Sequence, residues 1–171
     1  QSPHVRFAQV SLGVGSSSGD RYANTGEVAI EVLVARRVGA RRTGGVLLGG
    51  AIGGAAGPLP HGDVCEMLPD GGCKQPAPQF VSVSALVGIE SRGAASTVAL
   101  MAGPSIFVGS SVVRIGAILR ADLVSPHEGR AAFVLTPRLL VVPNVDGATL
   151  VSRSLSLGLR VRRLTGVNGR V

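Results

Sequence analysis

The sequence predicts an all-β fold, an eight-stranded antiparallel up-and-down β-barrel. Three observations predict it. Eight segments alternate apolar with small or polar residues at a period of two, the side-chain period of a strand. Those segments run roughly 9 to 13 residues, against about five or six for an ordinary soluble strand and about 9 to 11 for a tilted strand crossing a bilayer. Helical periodicity is absent throughout.

The elements follow in order. The first runs from about Val5 to Val14, with Val10, Leu12 and Val14 opposite Gln9, Ser11 and Gly13. The second, "EVAIEVLVARR", sets Val28, Ile30, Val32 and Val34 against Glu27, Ala29, Glu31 and Arg37. The third, about Gly45 to Ala56, is so rich in glycine that its two faces do not separate. The fourth, "FVSVSALVGIE", sets Val81, Val83, Ala85, Val87 and Ile89 against Ser82, Ser84, Gly88 and Glu90. A fifth spans about Ser96 to Val108, and a sixth about Val112 to Leu123. In the sixth, Val113, Ile115, Ala117, Leu119, Ala121 and Leu123 oppose Arg114, Gly116, Arg120 and Asp122. The seventh, about Ala131 to Val142, places Phe133, Leu135 and Leu139 opposite Thr136 and Arg138. Its Pro137 cannot donate to a ladder, so a bulge or a missing bond is expected there. The eighth starts near Leu150 and contains "SLSLGLRVRR", where Leu155, Leu157, Leu159 and Val161 alternate with Ser154, Ser156, Gly158, Arg160 and Arg162.

The connections add an asymmetry. Long ones are expected after the first strand ("GSSSGDRYANTG") and the third ("GPLPHGDVCEMLPDGGCKQPAP"), with shorter ones after the second and fourth, and with tight turns at "VGSS" and "PNVDG". Up-and-down membrane barrels alternate long outer loops with short periplasmic turns, which the first half matches, while the pattern fades at the tight turns of the second half.

Composition bounds the reading. The 171 residues are expected to form one barrel domain over 1–171. Hydrophobic residues make up 45% and charged residues only 16%, below the usual soluble share of about 25%. Gly, Ser or Arg interrupts every apolar run before the roughly 20 residues of a membrane helix. A chain starting at Gln1 fits export after removal of a signal peptide. Cys65 and Cys73 flank a turn in "CEMLPDGGC" and read as a disulfide of an exported protein. The net charge of +7 comes almost entirely from arginine, Lys74 being the one lysine. Aromatics are 3% and the arginines are spread through the strands, so no nucleic-acid partner is expected.

The polar face decides which side is wet. It is rich in Ser, Gly and Ala, where a solvated sheet favours bulky β-formers and glycine weakens it. An eight-stranded barrel has a lumen just wide enough for side chains to fill. Small residues then leave room for a lumen charge network of Glu31, Glu90, Arg114, Arg120, Asp122, Arg138 and Arg160, which must be paired to be tolerated. The apolar outer face is carried by Val113, Ile115, Leu119, Leu155, Leu157 and Leu159. A soluble barrel with its leucines inside is the competing arrangement.

In strand number, strand length, dyad alternation, loop asymmetry and the closing "LSLGLRVR", nearly the whole chain resembles the small eight-stranded bacterial outer-membrane barrels of the OmpA/OmpX-like type. That family usually has aromatic girdles and a terminal strand ending in an aromatic. This chain has only Tyr22, Phe7, Phe80, Phe107 and Phe133, and ends "GVNGRV". The resemblance implies a non-enzymatic outer-membrane protein with a structural or surface-interaction role and no cofactor, in contact with outer-membrane lipid. The alternative is an exported, extracellular barrel subunit that packs against copies of itself in a filament or sheath.

No catalytic or metal site is expected. Some barrels of this class modify lipids with His, Ser and an acid, and Ser125, His127 and Glu128 in "SPHEG" are the one local grouping; they read as a solvated turn. His61 and Asp63 lack a third ligand nearby. "GGVLLGGAIGGAAG" lacks the Lys-Ser/Thr end of a phosphate loop, and close strand packing or contact with a neighbouring subunit accounts for its glycines better.

Overall fold

Eleven strands are present in the computed structural model, which describes residues 4–20, 22–41, 44–57, 66–67, 73–93, 96–109, 112–126 and 130–165. They are β1 (His4–Gly19), β2 (Tyr22–Ala23), β3 (Thr25–Arg41), β4 (Gly44–Ala56), β5 (Glu66–Met67), β6 (Cys73–Pro76), β7 (Phe80–Arg92), β8 (Thr97–Gly109), β9 (Val113–Val124), β10 (Ala131–Val145) and β11 (Ala148–Thr165). Eight of these close an antiparallel barrel in the order β1-β11-β10-β9-β8-β7-β4-β3. Each barrel strand pairs with the next along the chain, and β1 closes the ring against β11 from His4↔Thr165 to Gly19↔Leu150. Closure leaves no unpaired edge in the wall.

Strand directions define two ends. At the terminal end lie His4, Thr165 and the connections after β3, β7 and β9. At the loop end lie the other four connections, the longest being 57–79, whose β5 and β6 form a small second sheet with β2 of the first connection.

The first connection is shorter than composition suggests. β1 continues through "SSSG" to Gly19 and β3 begins at Thr25, so most of "GSSSGDRYANTG" is strand and not a long loop. The reason is cross-strand pairing: Ser16, Ser17 and Ser18 lie opposite Arg153, Ser152 and Val151, and the buried Ser17 hydroxyl donates to Glu27. Partners in the lumen override a local preference for turns. The tight turn in "PNVDG" is present: Asp146 and Gly147 both have positive φ (49° and 79°) between the paired Val145 and Ala148, as a two-residue hairpin turn matching the strand twist requires.

Proline interrupts the wall without shifting it. β10 pairs with β9 at Val134, Leu135, Arg138 and Leu139 in one register, with the ladder missing at Thr136 and Pro137. Pro104 does the same between β8 and β7, where pairing skips from Ser84↔Ser105 to Val87↔Ala102. Pro137 keeps its place in the other ladder, opposite Leu155.

Candidate functional site: a plugged lumen and a banded outer wall

The period-two faces resolve with the apolar residues outside. Ile115 is 72% exposed, Phe133 66% and Leu157 62%, while Arg120 and Arg160 are 1% and 0% exposed. Val113, Leu119, Leu155 and Leu159 are likewise exposed. The soluble arrangement, with leucines inside, is not the one adopted. β4 separates too: Leu47, Ala51 and Ala55 point inward, and Val46, Leu48 and Ile52 outward.

Inside, the central cluster is built on five strands. Asp122 on β9 accepts from Arg120 at 2.7 Å, from Arg160 of β11 at 2.5 Å and from the Thr136 hydroxyl of β10 at 2.8 Å. Glu31 on β3 accepts from Arg120 and lies 3.5 Å from Arg138, a contact of charge without a hydrogen bond. Gln9 on β1 accepts from Arg160 at 2.9 Å through its carbonyl oxygen and donates to Ser11 and Thr136 through its amide. Phe7 closes the cluster, with the Arg160 guanidinium 4.1 Å from its ring centre. Gly53 makes room for Arg138, since a Cβ there would stand 2.8 Å from its Nη1. The glycine-rich third segment thus has an internal use.

Two smaller clusters flank this one. Towards the terminal end Glu90 is held by Arg37 and Arg92. Towards the loop end Glu27 accepts from Ser152 at 2.6 Å and from Ser17, and Tyr22 donates to Asp146 at 2.9 Å. Arg114 does not join a network: it is the second residue of β9, at the loop-end rim, and its Nε donates to the Asn144 carbonyl at 2.7 Å. Arg37, Glu27, Gln9 and Thr136 belong to the buried set although charge alone did not single them out. Their shared parity with Glu31, Ser11 and Arg138 was the available signal.

Among the described residues the buried charges balance: Glu27, Glu31, Glu90 and Asp122 against Arg37, Arg120, Arg138 and Arg160. The net charge of +7 is carried by residues outside this buried set.

The outer wall is banded. On β11, Leu155, Leu157, Leu159 and Val161 face out between Arg153 and Arg163. Register continues both borders: Arg153 lies opposite Ser16, which lies opposite Gly26, and Arg163 lies opposite Arg6, which lies opposite Arg36. Ten residues at about 3.3 Å each cover ~33 Å along a strand, or ~25 Å along the axis of a barrel with strands tilted by about 40°. That is the height of the apolar band of a membrane barrel, about 25 Å. Four of the five aromatics, Phe7, Tyr22, Phe80 and Phe107, are buried inside, and Phe133 is the one that faces out.

Ser125 serves the turn it sits in: its backbone N–H donates to the Phe133 carbonyl at 2.9 Å and its hydroxyl accepts from the Phe133 N–H at 3.1 Å. His127, Glu128, His61, Asp63 and Cys65 lie outside the described residues. Cys73 opens β6, opposite Met67, and among the described residues no cysteine is free.

The sequence matches no family model and no curated protein. Among solved structures, the chain is similar to Neisserial surface protein A, with a TM-score of 0.62 and 13% identity over 91% of this chain and 96% of that one. It is also similar to Ail, the attachment invasion locus protein of Yersinia pestis, in complex with the heparin analogue sucrose octasulfate. There the TM-score is 0.53 and the identity 14% over 94% of this chain and 99% of that one. The chain therefore has the fold of the small eight-stranded outer-membrane barrels.

Proposed function

We propose that this chain is a non-enzymatic outer-membrane β-barrel with a structural or surface-interaction role, its polar lumen plugged by side chains. The observation that carries the reading is the outer band: a continuous apolar face around an interior of paired charges, set on β11 between Arg153 and Arg163 about 25 Å apart along the axis. Such a wall is costly in water and suited to lipid. Arg120 and Arg160 fill the lumen crosswise, which favours a plug over a conducting channel. The likeness to outer-membrane barrels supports the same location. The long connection 57–79 marks the loop end as the outer side, and a Cys65–Cys73 disulfide belongs to this reading as a staple of that loop.

The aromatic placement favours a second reading, an exported subunit that packs against its own copies. With Phe133 alone facing out, the wall lacks the aromatic girdles that position a barrel in a bilayer. Both readings meet one experiment. Native protein in detergent should migrate differently before and after boiling and should float with lipid vesicles. A detergent-free, sedimentable polymer that does not float would overturn the membrane reading in favour of the assembly.

A further inference from the structure

Among the described residues, the terminal end of the barrel carries arginine without free acid. Arg6, Arg36, Arg92, Arg130 and Arg162 lie near it, and the described acids closest to that end, Glu90 and Asp122, are buried and already held by Arg37, Arg92, Arg120 and Arg160. Arg6 and Arg36 differ from the lumen arginines in facing out. They lie directly opposite each other on β1 and β3, both exposed, and among the described residues neither forms an ion pair. Register places Arg163 on the far side of Arg6.

Like charges directly opposite on neighbouring strands repel, their Cβ atoms being about 5 Å apart. An anion between them reverses the sign. Two guanidinium groups at that spacing suit the oxygens of one phosphate, which guanidinium binds in planar, bidentate fashion. The surroundings select the phosphate's carrier. Val34 and Leu48 line a cleft beside the pair, and Ala35 and Gly49, whose side-chain positions face inward, contribute backbone to it. This cleft lies at the border of the apolar band, where Arg36 and Arg6 mark its edge. A free phosphate has no use for apolar walls, whereas a lipid brings phosphate and hydrocarbon together.

We propose that Arg6 and Arg36 form a binding site for the phosphate of an anionic phospholipid, its glycerol and upper acyl carbons resting against Val34 and Leu48. The proposal rests on the membrane reading above, and it adds a specific lipid contact in the leaflet at the terminal end. Its attraction is electrostatic at an interface, so it weakens with salt.

The test refolds the wild type, the double variant Arg6→Gln with Arg36→Gln, and Arg130→Gln into two kinds of vesicle. One is phosphatidylcholine alone, and the other adds a minor share of phosphatidylglycerol. Insertion is read by heat-modifiable migration, and retained lipid by native mass spectrometry after extraction into detergent. The wild type and Arg130→Gln should retain phosphatidylglycerol over phosphatidylcholine. The double variant should insert as well but lose that preference about tenfold or more. Inorganic phosphate at matched concentration should not displace the lipid. Equal retention by the double variant, or displacement by inorganic phosphate alone, overturns the lipid site while leaving the membrane reading intact. Failure of the wild type to insert into either vesicle overturns the membrane reading and the proposal with it.

Discussion

Glu31 shows what a single residue does in this lumen. It receives Arg120 and lies beside Arg138, and all three are buried. Taking a carboxylate out of water is costly, and the contact is favourable only because both arginines are there to meet it. Removing the acid leaves Arg138 buried without its charge partner, while Arg120 keeps Asp122. Glu31→Ala is therefore expected to cost about 3 to 5 kcal/mol, read as a shift of the urea midpoint for unfolding from detergent or vesicles. A change below about 0.5 kcal/mol, the size typical of a surface site, would mean that water reaches the cluster. Parity placed Glu31, Asp122, Arg120, Arg138 and Arg160 on the inner face from the sequence alone. The pairing among them was not legible, because it depends on how far around the barrel each strand is staggered, and Arg114 shared the parity but ends at a wet rim.

At the scale of the element, β11 carries the argument. Its outward row of Leu155, Leu157, Leu159 and Val161 is the middle of the apolar band, and its inward row of Ser154, Ser156, Gly158 and Arg160 lines the lumen. Leu157 lies opposite Leu12 on β1 and Leu135 on β10, both exposed on the same face. Leu157→Arg puts a charge at the centre of that face, with a cost of roughly 2 to 4 kcal/mol at a bilayer midplane. The expected result is a chain that loses vesicle insertion, read by flotation, and loses heat-modifiable migration from lipid. Full insertion at the wild-type yield would show that this face does not meet lipid. Strand existence and face were readable here because the alternation runs almost without exception. The extension of β1 through three serines was not, since the residues they pair with, Arg153, Ser152 and Val151, are far away in sequence.

For the whole molecule, the wall and the long connection are separate in what holds them. The wall is closed by ladders between every neighbouring pair of barrel strands, while the described part of the long connection is held by the pairing of β6 with β2 and β5 and by the Ala77 N–H, which donates to the Thr25 hydroxyl at 3.1 Å. The Cys65–Cys73 disulfide proposed above would constrain that connection and not the barrel ladders, since cross-linking acts chiefly on the loop it closes. Reduction is expected to increase protease cleavage between Pro58 and Pro78 while heat-modifiable migration persists. Loss of the folded band on reduction, or free thiols in carefully quenched native protein, would contradict it.

The sequence by itself determined the class, the number of barrel strands and the alternation of most of them, because a period of two is written locally and needs no partner to be read, whereas the glycine-rich third strand showed its faces only in the structure. It also favoured the small, polar face as the confined one, since glycine and serine serve a sheet poorly in water, and the structure decided between that and the leucines-inside arrangement. Only the tertiary structure decided which charges meet, that Gly53 opens a place for Arg138, and that Arg6 stands opposite Arg36 on the outer wall. The reason is physical. Register and stagger arise from closing the ring, and closure joins residues such as Gln9 and Arg160 that lie at opposite ends of the chain and share no local signal.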